Sequence, residues 1–340
     1  MKIKRIFSWL LIVVLCFTLI SCQDAPLPET NEVGTTASAI VTVTTEDASE
    51  PREYAPLLYR VTDKDGNVAW LFGSIHLGRE DYYPLPDYVL NAFDAADSLA
   101  VEADIIAFQE DAKASQEAAQ LMLLKDGTTV QDHVPAELYE KAVKILKDTD
   151  NYLEAFEKFI PYFWSTYIDE VAYYDTILEG LGADKDLGID MHLLERAKNA
   201  NKEILEVESV QFQYQLLTGF SYELQCMLLS SSIEMYEKQE EAIEEYKKMM
   251  DLWAAGDEKA FADYLSSADD ELPPEAMELY EEYNNAIIVK RNLSMADFAE
   301  DALASGDEVF ICVGAAHVVG EGAMADLLSA RGYTVELITK

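Results

Sequence analysis

The chain has few cysteines and few basic residues for its length. Only four of its 340 residues are Cys, and they form no Cys-x-x-Cys pair, which excludes a structural zinc site of the cysteine type. Lys and Arg together number 25 against 64 Asp and Glu, so the formal net charge is −39. This charge is repelled by phosphate backbones and anionic lipid headgroups, and we expect no nucleic-acid partner.

Several common catalytic motifs are also missing. The sequence contains no Gly-x-Ser-x-Gly, His-Glu-x-x-His, P-loop or dinucleotide-binding fingerprint in the context that each needs. Their absence disfavours a serine hydrolase, a zincin, a nucleotide-dependent enzyme and a dehydrogenase. It leaves open a metal site built from another pattern of ligands.

The first 22 residues are typical of a secretory signal peptide. Three basic residues precede an apolar run from Ile6 to Ile20, which is too short for an ordinary membrane span. The Leu-Ile-Ser-Cys sequence that ends at Cys22 resembles the bacterial lipobox, in which the Cys is acylated. We therefore predict a lipid anchor on Cys22 and an extracytoplasmic location at the cell membrane. The alternative is a plain signal peptide with a chance Cys.

Residues 23–55 lack helical periodicity and are rich in Thr, Ser, Pro and acidic residues, which predicts a flexible acidic linker. The folded domain is expected over residues 56–340. Its first segments are an alternating strand pattern at 57–62, a turn, and a return strand at 68–73, which together predict a β-hairpin. The return strand runs into a Gly-x-x-His sequence.

The rest of the domain is expected to be mostly helical. Residues 88–96 have helical spacing, and residues 98–104 have the pattern of a strand that ends in acids. From about 106 to 300 the pattern is helical, with a short strand at 202–208 and a long amphipathic run that we expect to break near Ser230.

The C-terminal part repeats the arrangement of the N-terminal part. A buried strand at 309–313 leads into a second Gly-x-x-His, and a helix at 322–330 and a strand at 333–338 follow. The predicted fold is therefore α/β. A central mixed sheet forms from two strand–GxxH–helix–strand halves, with a large helical insertion at about 106–300.

The Gly-x-x-His phrase is the most informative feature. Leu71 to Gly78 and Val313 to Gly320 each contain an apolar run, Gly-x-x-His, an aliphatic residue and another Gly. Sites in open α/β sheets form at the carboxyl ends of strands, so we expect His76 and His317 to face one pocket. The alternative is that each is a hydrogen-bonded core histidine.

Paired imidazoles could bind a divalent transition metal such as Mn, Co, Zn or Fe. Glu102 follows a neighbouring strand and is the best candidate for a carboxylate ligand or a general base. Arg291 could hold a substrate carboxylate or stabilise an oxyanion, although a salt bridge is the default for a surface Arg. Asp190 could cap the helix that follows it. His133 and His192 are expected to be structural.

The folded part resembles the TraB/PrgY/GumN family, the bacterial relatives of the Tiki proteases. The resemblance rests on Leu-Tyr-Arg-Val, on both Gly-x-x-His phrases, on Val-Glu-Ala-Asp, on Gly-Ile-Asp at 188–190 and on Arg291-Asn292. It implies a metal-dependent, peptidase-like site on His76, His317 and Glu102. It also implies functional roles for Arg291 and for Asp190, which we assign to substrate binding.

These features predict a lipid-anchored, extracytoplasmic metal-dependent hydrolase that acts on peptides or proteins. One alternative is a non-catalytic surface protein that binds or sequesters a peptide or a haem-like ligand in the same pocket. Another is an envelope scaffold whose helical insertion contacts a partner.

Overall fold

The computed structural model describes residues 54–267 and 274–338. The predicted signal peptide, its acylation site at Cys22 and residues 23–53 of the predicted linker lie outside the described residues. Among the residues that are described, no helix is both long enough and apolar enough to cross a membrane.

A six-stranded mixed sheet forms the centre of the molecule. Its strands are β1 (Leu58–Thr62), β2 (Val68–Ser74), β3 (Ser98–Val101), β4 (Glu203–Glu206), β5 (Val309–Gly314) and β6 (Thr334–Ile338). The order across the sheet is β4-β3-β5-β2-β1-β6. The four strands from β4 to β2 run parallel, and β1 is antiparallel to both of its neighbours. The predicted hairpin and α/β fold class are confirmed.

The composition of each strand matches its place in the sheet. All six residues of β5 are buried, as expected for a central parallel strand covered on both faces. The edge strands β4 and β6 expose Glu203, Glu206 and Glu336, and charges on an edge strand discourage pairing with another chain. Strand β3 is shorter than predicted, because it ends at Val101 and leaves Glu102 just beyond it.

Helices connect the strands and fill most of the chain between β3 and β5. In chain order they are α1 (Asp87–Ala95), α2 (Ile105–Glu110), α3 (Ala112–Leu121), α4 (Ala136–Asp148), α5 (Pro161–Ile168), α6 (Tyr174–Leu181), α7 (Ile189–Ala200), α8 (Val210–Thr218), α9 (Tyr222–Glu237), α10 (Gln239–Ala255), α11 (Glu258–Ser266), α12 (Pro274–Asn284), α13 (Lys290–Ser305), α14 (Ala315–Val318) and α15 (Met324–Ala330). Short 3₁₀ turns cover Glu80–Tyr82, Val130–Asp132, Glu154–Lys158 and Lys185–Leu187.

Each half of the sheet is a parallel strand–helix–strand unit, as predicted. Strand β2 leads through α1 to β3, and β5 leads through α14 and α15 to β6. Because β5 lies between β2 and β3, the two halves interleave. The two Gly-x-x-His phrases consequently follow neighbouring strands.

The expected helix break near Ser230 is wrong, because α9 passes through that position without interruption. The helical run is interrupted instead at Gly219, the C-cap of α8, and at Lys238, the C-cap of α9. The Ser221 side chain caps the start of α9. The serines of α9 do not interrupt it, and the Ser232 hydroxyl lies 3.3 Å from the Leu228 carbonyl within the helix.

Two π-helical segments interrupt the helical region, Asp169–Tyr173 between α5 and α6 and Asn285–Val289 between α12 and α13. The second segment leads directly to Arg291. Its Ile287 is buried in an apolar cluster that also contains Ala103 and Tyr214. This cluster lies beside the carboxyl end of β3 and supports the side chains described next.

Candidate functional site

The carboxyl ends of the parallel strands meet at one place. Ser74 of β2 is in register with Gly314 of β5, and Val101 of β3 is in register with Cys312 of β5 and Glu206 of β4. Sites in open α/β sheets form outside such strand ends. The residues that follow these four strands include all three predicted metal ligands.

Two glycines let the segments after the strands approach closely. A Cβ atom on Gly73 would lie 2.9 Å from Cα of Ala315, and one on Gly314 would lie 3.2 Å from Oε1 of Glu102. A side chain at Gly73 would therefore force the two Gly-x-x-His phrases apart. This explains the Gly of the first phrase. In the second phrase, a Cβ on Gly314 would crowd the Glu102 carboxylate, which accepts the Gly314 N–H.

Glu102 occupies the centre of the site. Its Oε1 accepts the Gly314 N–H at 2.7 Å, and its Oε2 accepts from Arg291 Nη2 at 2.5 Å and from Gln213 Nε2 at 3.3 Å. Burial opposes ionisation of this carboxyl, but Arg291, the neighbouring imidazoles and the Gly314 N–H outweigh it and lower its pKa to about 2. Glu102 is therefore a carboxylate at neutral pH.

Arg291 is clamped between two carboxylates. Its guanidinium contacts Glu208 through Nε, 3.0 Å from both carboxylate oxygens, and reaches Glu102 through Nη2. The residue is only 4% exposed, and Nη1 donates to the Ile287 carbonyl at 3.3 Å. The structure thus places Arg291 in a buried salt bridge, and its predicted contact with substrate stays a prediction.

His317 is held in one orientation. Asn292 Nδ2 donates to the Gly322 carbonyl at 2.9 Å, so Asn292 Oδ1 must be the acceptor for His317 Nδ1–H at 2.7 Å. Nε2 of the neutral ring then carries a lone pair, and it lies 4.0 Å from Oε1 of Glu102. Burial, and then the positive charge of Arg291, lowers the pKa of His317 to about 3.

His76 pairs with Asp190 at the more open side of the site. Its Nδ1 lies 2.5 Å from Asp190 Oδ2, and the two side chains are 15% and 17% exposed. The helix-cap interpretation of Asp190 is wrong, because Gly188 occupies the N-cap of α7 and the Asp190 side chain makes no cap hydrogen bond. Asp190 orients His76 instead.

The segment that carries Asp190 is fixed to the chain after β2. Gly78 and Asp184 exchange backbone hydrogen bonds, and the Ile189 N–H donates to the Ile75 carbonyl at 3.0 Å. A Cβ atom on Gly188 would lie 2.6 Å from the His76 carbonyl oxygen. This close contact explains the Gly in the Gly-Ile-Asp sequence.

A small cavity lies between these side chains. Its polar lining comes from Ser74, His76, Glu102, Asp190 and Gln213. The cavity volume is about 20 Å³, which is room for little more than one water molecule or one ion. Asp190, Met191 and Leu194 of α7 and Gln213 of α8 supply one wall of the cavity.

The donor chemistry of the site fits a divalent cation. The neutral His317 Nε2 and the Glu102 Oε1 are both lone-pair donors, and neither can supply a proton to the other across their 4.0 Å separation. Asp190 Oδ1 is buried without a hydrogen-bond partner among the described side chains and backbone. The site contains three carboxyl side chains (Glu102, Asp190 and Glu208) and one guanidinium, which contacts Glu102 and Glu208, so its formal charge is net negative.

The same residues do not form a closed ligand sphere. Within the described ranges, no three His, Cys, Asp or Glu side chains converge at metal-binding geometry. The structure places His76, His317, Glu102, Asp190 and Arg291 close together. The small cavity is lined by His76 and not by His317, so the expectation that both imidazoles face one pocket is not met by this cavity.

The other two histidines stay outside the site. Nε2 of His133 lies 2.6 Å from the Thr128 hydroxyl, and its ring stacks on Tyr222. His192 packs on Tyr83 with ring centroids 4.5 Å apart. Both have the structural surroundings that their positions predict.

The sequence patterns give no role to Glu208, Gln213 or Asn292, yet each contacts a predicted site residue. For Glu208 a signal exists. Val101-Glu102 spans the end of β3, and Val207-Glu208 comes directly after β4. The Glu208 N–H donates to the Glu102 carbonyl at 2.8 Å. Two Val-Glu pairs at neighbouring strand ends could have been recognised as one site.

The sequence matches the model of one known protein family. The model of the TraB/PrgY/gumN family matches residues 57–337, which include every side chain of the site. No curated protein and no solved structure shows significant similarity to the chain. The chain belongs to the TraB/PrgY/gumN family.

Proposed function

We propose that this protein is a metal-dependent hydrolase that cleaves peptides or proteins, and that an acyl group on Cys22 holds it at the extracytoplasmic face of the cell membrane. The observation that carries the proposal is the convergence of the duplicated Gly-x-x-His phrases on one ionised carboxylate. Oε1 of that carboxylate, Glu102, lies 4.0 Å from His317 Nε2.

His76, His317 and Glu102 are the residues that would hold the metal. Each imidazole has its Nδ1 at hydrogen-bond distance from an oxygen acceptor, Asp190 for His76 and Asn292 for His317. This is how metal-binding histidines are usually oriented. A bound divalent metal would polarise a peptide carbonyl and make a water molecule more acidic.

The remaining chemistry belongs to the chain's own residues. Glu102 is ionised at neutral pH and lines the cavity, so it could accept a proton from a water molecule held there if it is not itself a ligand. Arg291 acts by keeping that carboxylate charged and in place. Asp190 fixes the ring of His76, and the small cavity excludes bulk water from the reacting atoms.

The cavity also bears on the non-catalytic alternative. A haem-like ligand needs a pocket of roughly several hundred cubic ångströms, whereas the described cavity is about 20 Å³. Its size therefore weighs against haem. The remaining alternative is a protein that binds a peptide without cleaving it. The experiment described next distinguishes binding from cleavage.

The test is a cleavage assay on the untagged protein with a peptide library, with and without chelator, followed by mass spectrometry. We expect cleavage that chelator abolishes and that Mn²⁺, Co²⁺ or Zn²⁺ restores. His76→Ala and His317→Ala should each lower the rate by roughly 100-fold or more. His133→Ala, a histidine outside the site, should leave the rate unchanged.

Chelator-insensitive cleavage, or full activity in both site variants, would contradict the proposal. Saturable peptide binding without products would favour the non-catalytic alternative.

A further inference from the structure

We infer that Glu208 is a positioning residue that holds the Arg291 guanidinium to one side, so that only one oxygen of Glu102 is engaged by Arg291. The inference rests on the proposed function, because it concerns the carboxylate that we assign to the metal or to proton transfer. Glu208 lies outside the set of residues that the sequence motifs single out.

The contacts of Arg291 with the two carboxylates are unequal. With Glu208 the guanidinium makes three contacts, from Nε to both oxygens at 3.0 Å and from Nη2 to Oε2 at 2.9 Å. With Glu102 it makes one, from Nη2 to Oε2 at 2.5 Å. Oε1 of Glu102 does not contact Arg291. It accepts the Gly314 N–H and lies 4.0 Å from Nε2 of His317.

This asymmetry matters because of how guanidinium groups bind carboxylates. An Arg and a carboxylate favour a fork with two parallel hydrogen bonds that engages both carboxylate oxygens. If Glu208 were absent, Arg291 would keep its contact with Glu102 and could form such a fork with it. A fork on Glu102 would cover Oε1 and place positive charge where a cation would bind. Glu208 prevents a fork through the Nε–Nη2 edge of the guanidinium by occupying that edge. On the other edge, Nη1 is held by its bond to the Ile287 carbonyl at 3.3 Å.

Backbone pairing and a third side chain fix the spacing of the two carboxylates. The Glu208 N–H donates to the Glu102 carbonyl at 2.8 Å, which continues the pairing of β3 with β4. Gln213 Nε2 lies 3.3 Å from Oε2 of Glu102 and 3.2 Å from Oε2 of Glu208. The Glu208 side chain is 5% exposed, so water competes little for its bond to Arg291.

The experiment must separate position from charge, because removing Glu208 also removes a negative charge. Glu208→Gln removes the salt bridge to Arg291 and keeps nearly the same side-chain shape. Glu208→Asp keeps the charge but shortens the reach by one methylene. Glu203→Gln removes one charge from an exposed position of β4, the strand that precedes Glu208, and is the matched control.

Co²⁺ alone is the probe, titrated into the full chain and followed by visible absorption. We expect Glu208→Gln to weaken Co²⁺ binding by about 10- to 100-fold, the usual range for residues that support metal ligands. Glu208→Asp should also weaken it, and Glu203→Gln should change it by less than about twofold. A crystal structure of Glu208→Gln should show Arg291 engaging both oxygens of Glu102.

Each outcome decides a different point. Wild-type affinity in Glu208→Gln, or equal losses in Glu208→Gln and Glu203→Gln, would overturn the inference and leave the metal centre intact. A wild-type chain that binds no Co²⁺ would contradict the proposed function. The crystal structure then decides the inference by itself, because Arg291 still on a single Glu102 oxygen would overturn it.

Discussion

The orientation of His317 depends on one neighbouring side chain. Asn292 accepts from the ring Nδ1 at 2.7 Å and donates to the Gly322 carbonyl at 2.9 Å. Asn292 is 2% exposed and His317 is 4% exposed, so water competes little for the hydrogen bond between them. Asn292 therefore sets which nitrogen faces Glu102, although it touches neither Glu102 nor His76 in the described contacts.

Asn292→Leu should lower both stability and metal affinity. The substitution leaves the His317 Nδ1–H and the Gly322 carbonyl without their partner, which should cost about 1–3 kcal/mol in free energy of unfolding. Metal affinity should fall by about 10- to 100-fold, because the ring can rotate or change tautomer. Urea denaturation and Co²⁺ titration measure the two effects.

The matched control is Asn285→Leu, an exposed position on the preceding π-helical segment. It should move the free energy of unfolding by less than about 0.5 kcal/mol. Nitrogen-15 shifts of the His317 ring should show Nδ1 protonated in the wild-type protein at neutral pH. A ring protonated on Nε2 would contradict this account of Asn292.

At the scale of elements, the two π-helical segments stand where polar side chains enter the interior. The segment Asn285–Val289 comes just before Arg291 and Asn292, two consecutive residues that both reach the site. The segment Asp169–Tyr173 carries a carboxyl group into the helical region, where Asp169 is 3% exposed. Such segments occur often at functional positions in helices.

Asp169 makes the stability of the helical region depend on pH. Burial raises its pKa to about 7, and hydrogen bonds from Ser232 and Tyr173 offset only part of this effect. In the unfolded chain the pKa of an Asp side chain is about 3.9. The folded state therefore binds the proton more tightly, and the stability that it contributes is present below about pH 4 and is lost as the pH rises to 7.

Asp169→Asn should remove this loss, since the amide keeps the shape and cannot ionise. The variant should match the wild type near pH 4 and exceed it at pH 8 by roughly 2–4 kcal/mol in free energy of unfolding. Urea denaturation between pH 4 and 8 measures the difference. Asp175→Asn, at an exposed position of α6, is the control and should track the wild type. A constant difference across this pH range would contradict the assignment.

For the whole molecule, the sequence predicts the elements better than their arrangement. Strands β1, β2, β5 and β6 were predictable because alternation, a turn and a continuous apolar run are local signals. The placement of β5 between β2 and β3 was not, since it depends on pairing between residues more than 200 positions apart, such as Leu71 with Ile311. The duplicated phrase indicated that the two strand ends lie close together, but not which strands pair.

The candidate site shows the same division. His76 and His317 were predictable because their phrase occurs twice, and Glu102 because it follows a neighbouring strand. Asp190 and Arg291 were indicated by the resemblance to the TraB/PrgY/GumN family. Their partners were harder to find, because Gln213 lies in an ordinary helical stretch and Glu208 in a chain rich in acids. Asp190 was also open to interpretation as a helix cap, which only the observed bond to His76 decides.

The central claim is that two distant imidazoles and one carboxylate form a single metal centre, and elemental analysis tests it most directly. The protein should be purified without a His tag and compared with His76→Ala, His317→Ala and His133→Ala. The account predicts about one equivalent of transition metal per chain in the wild type and in His133→Ala. It predicts loss of that metal in the two site variants. A wild-type protein without metal, or equal metal in all four proteins, would contradict it.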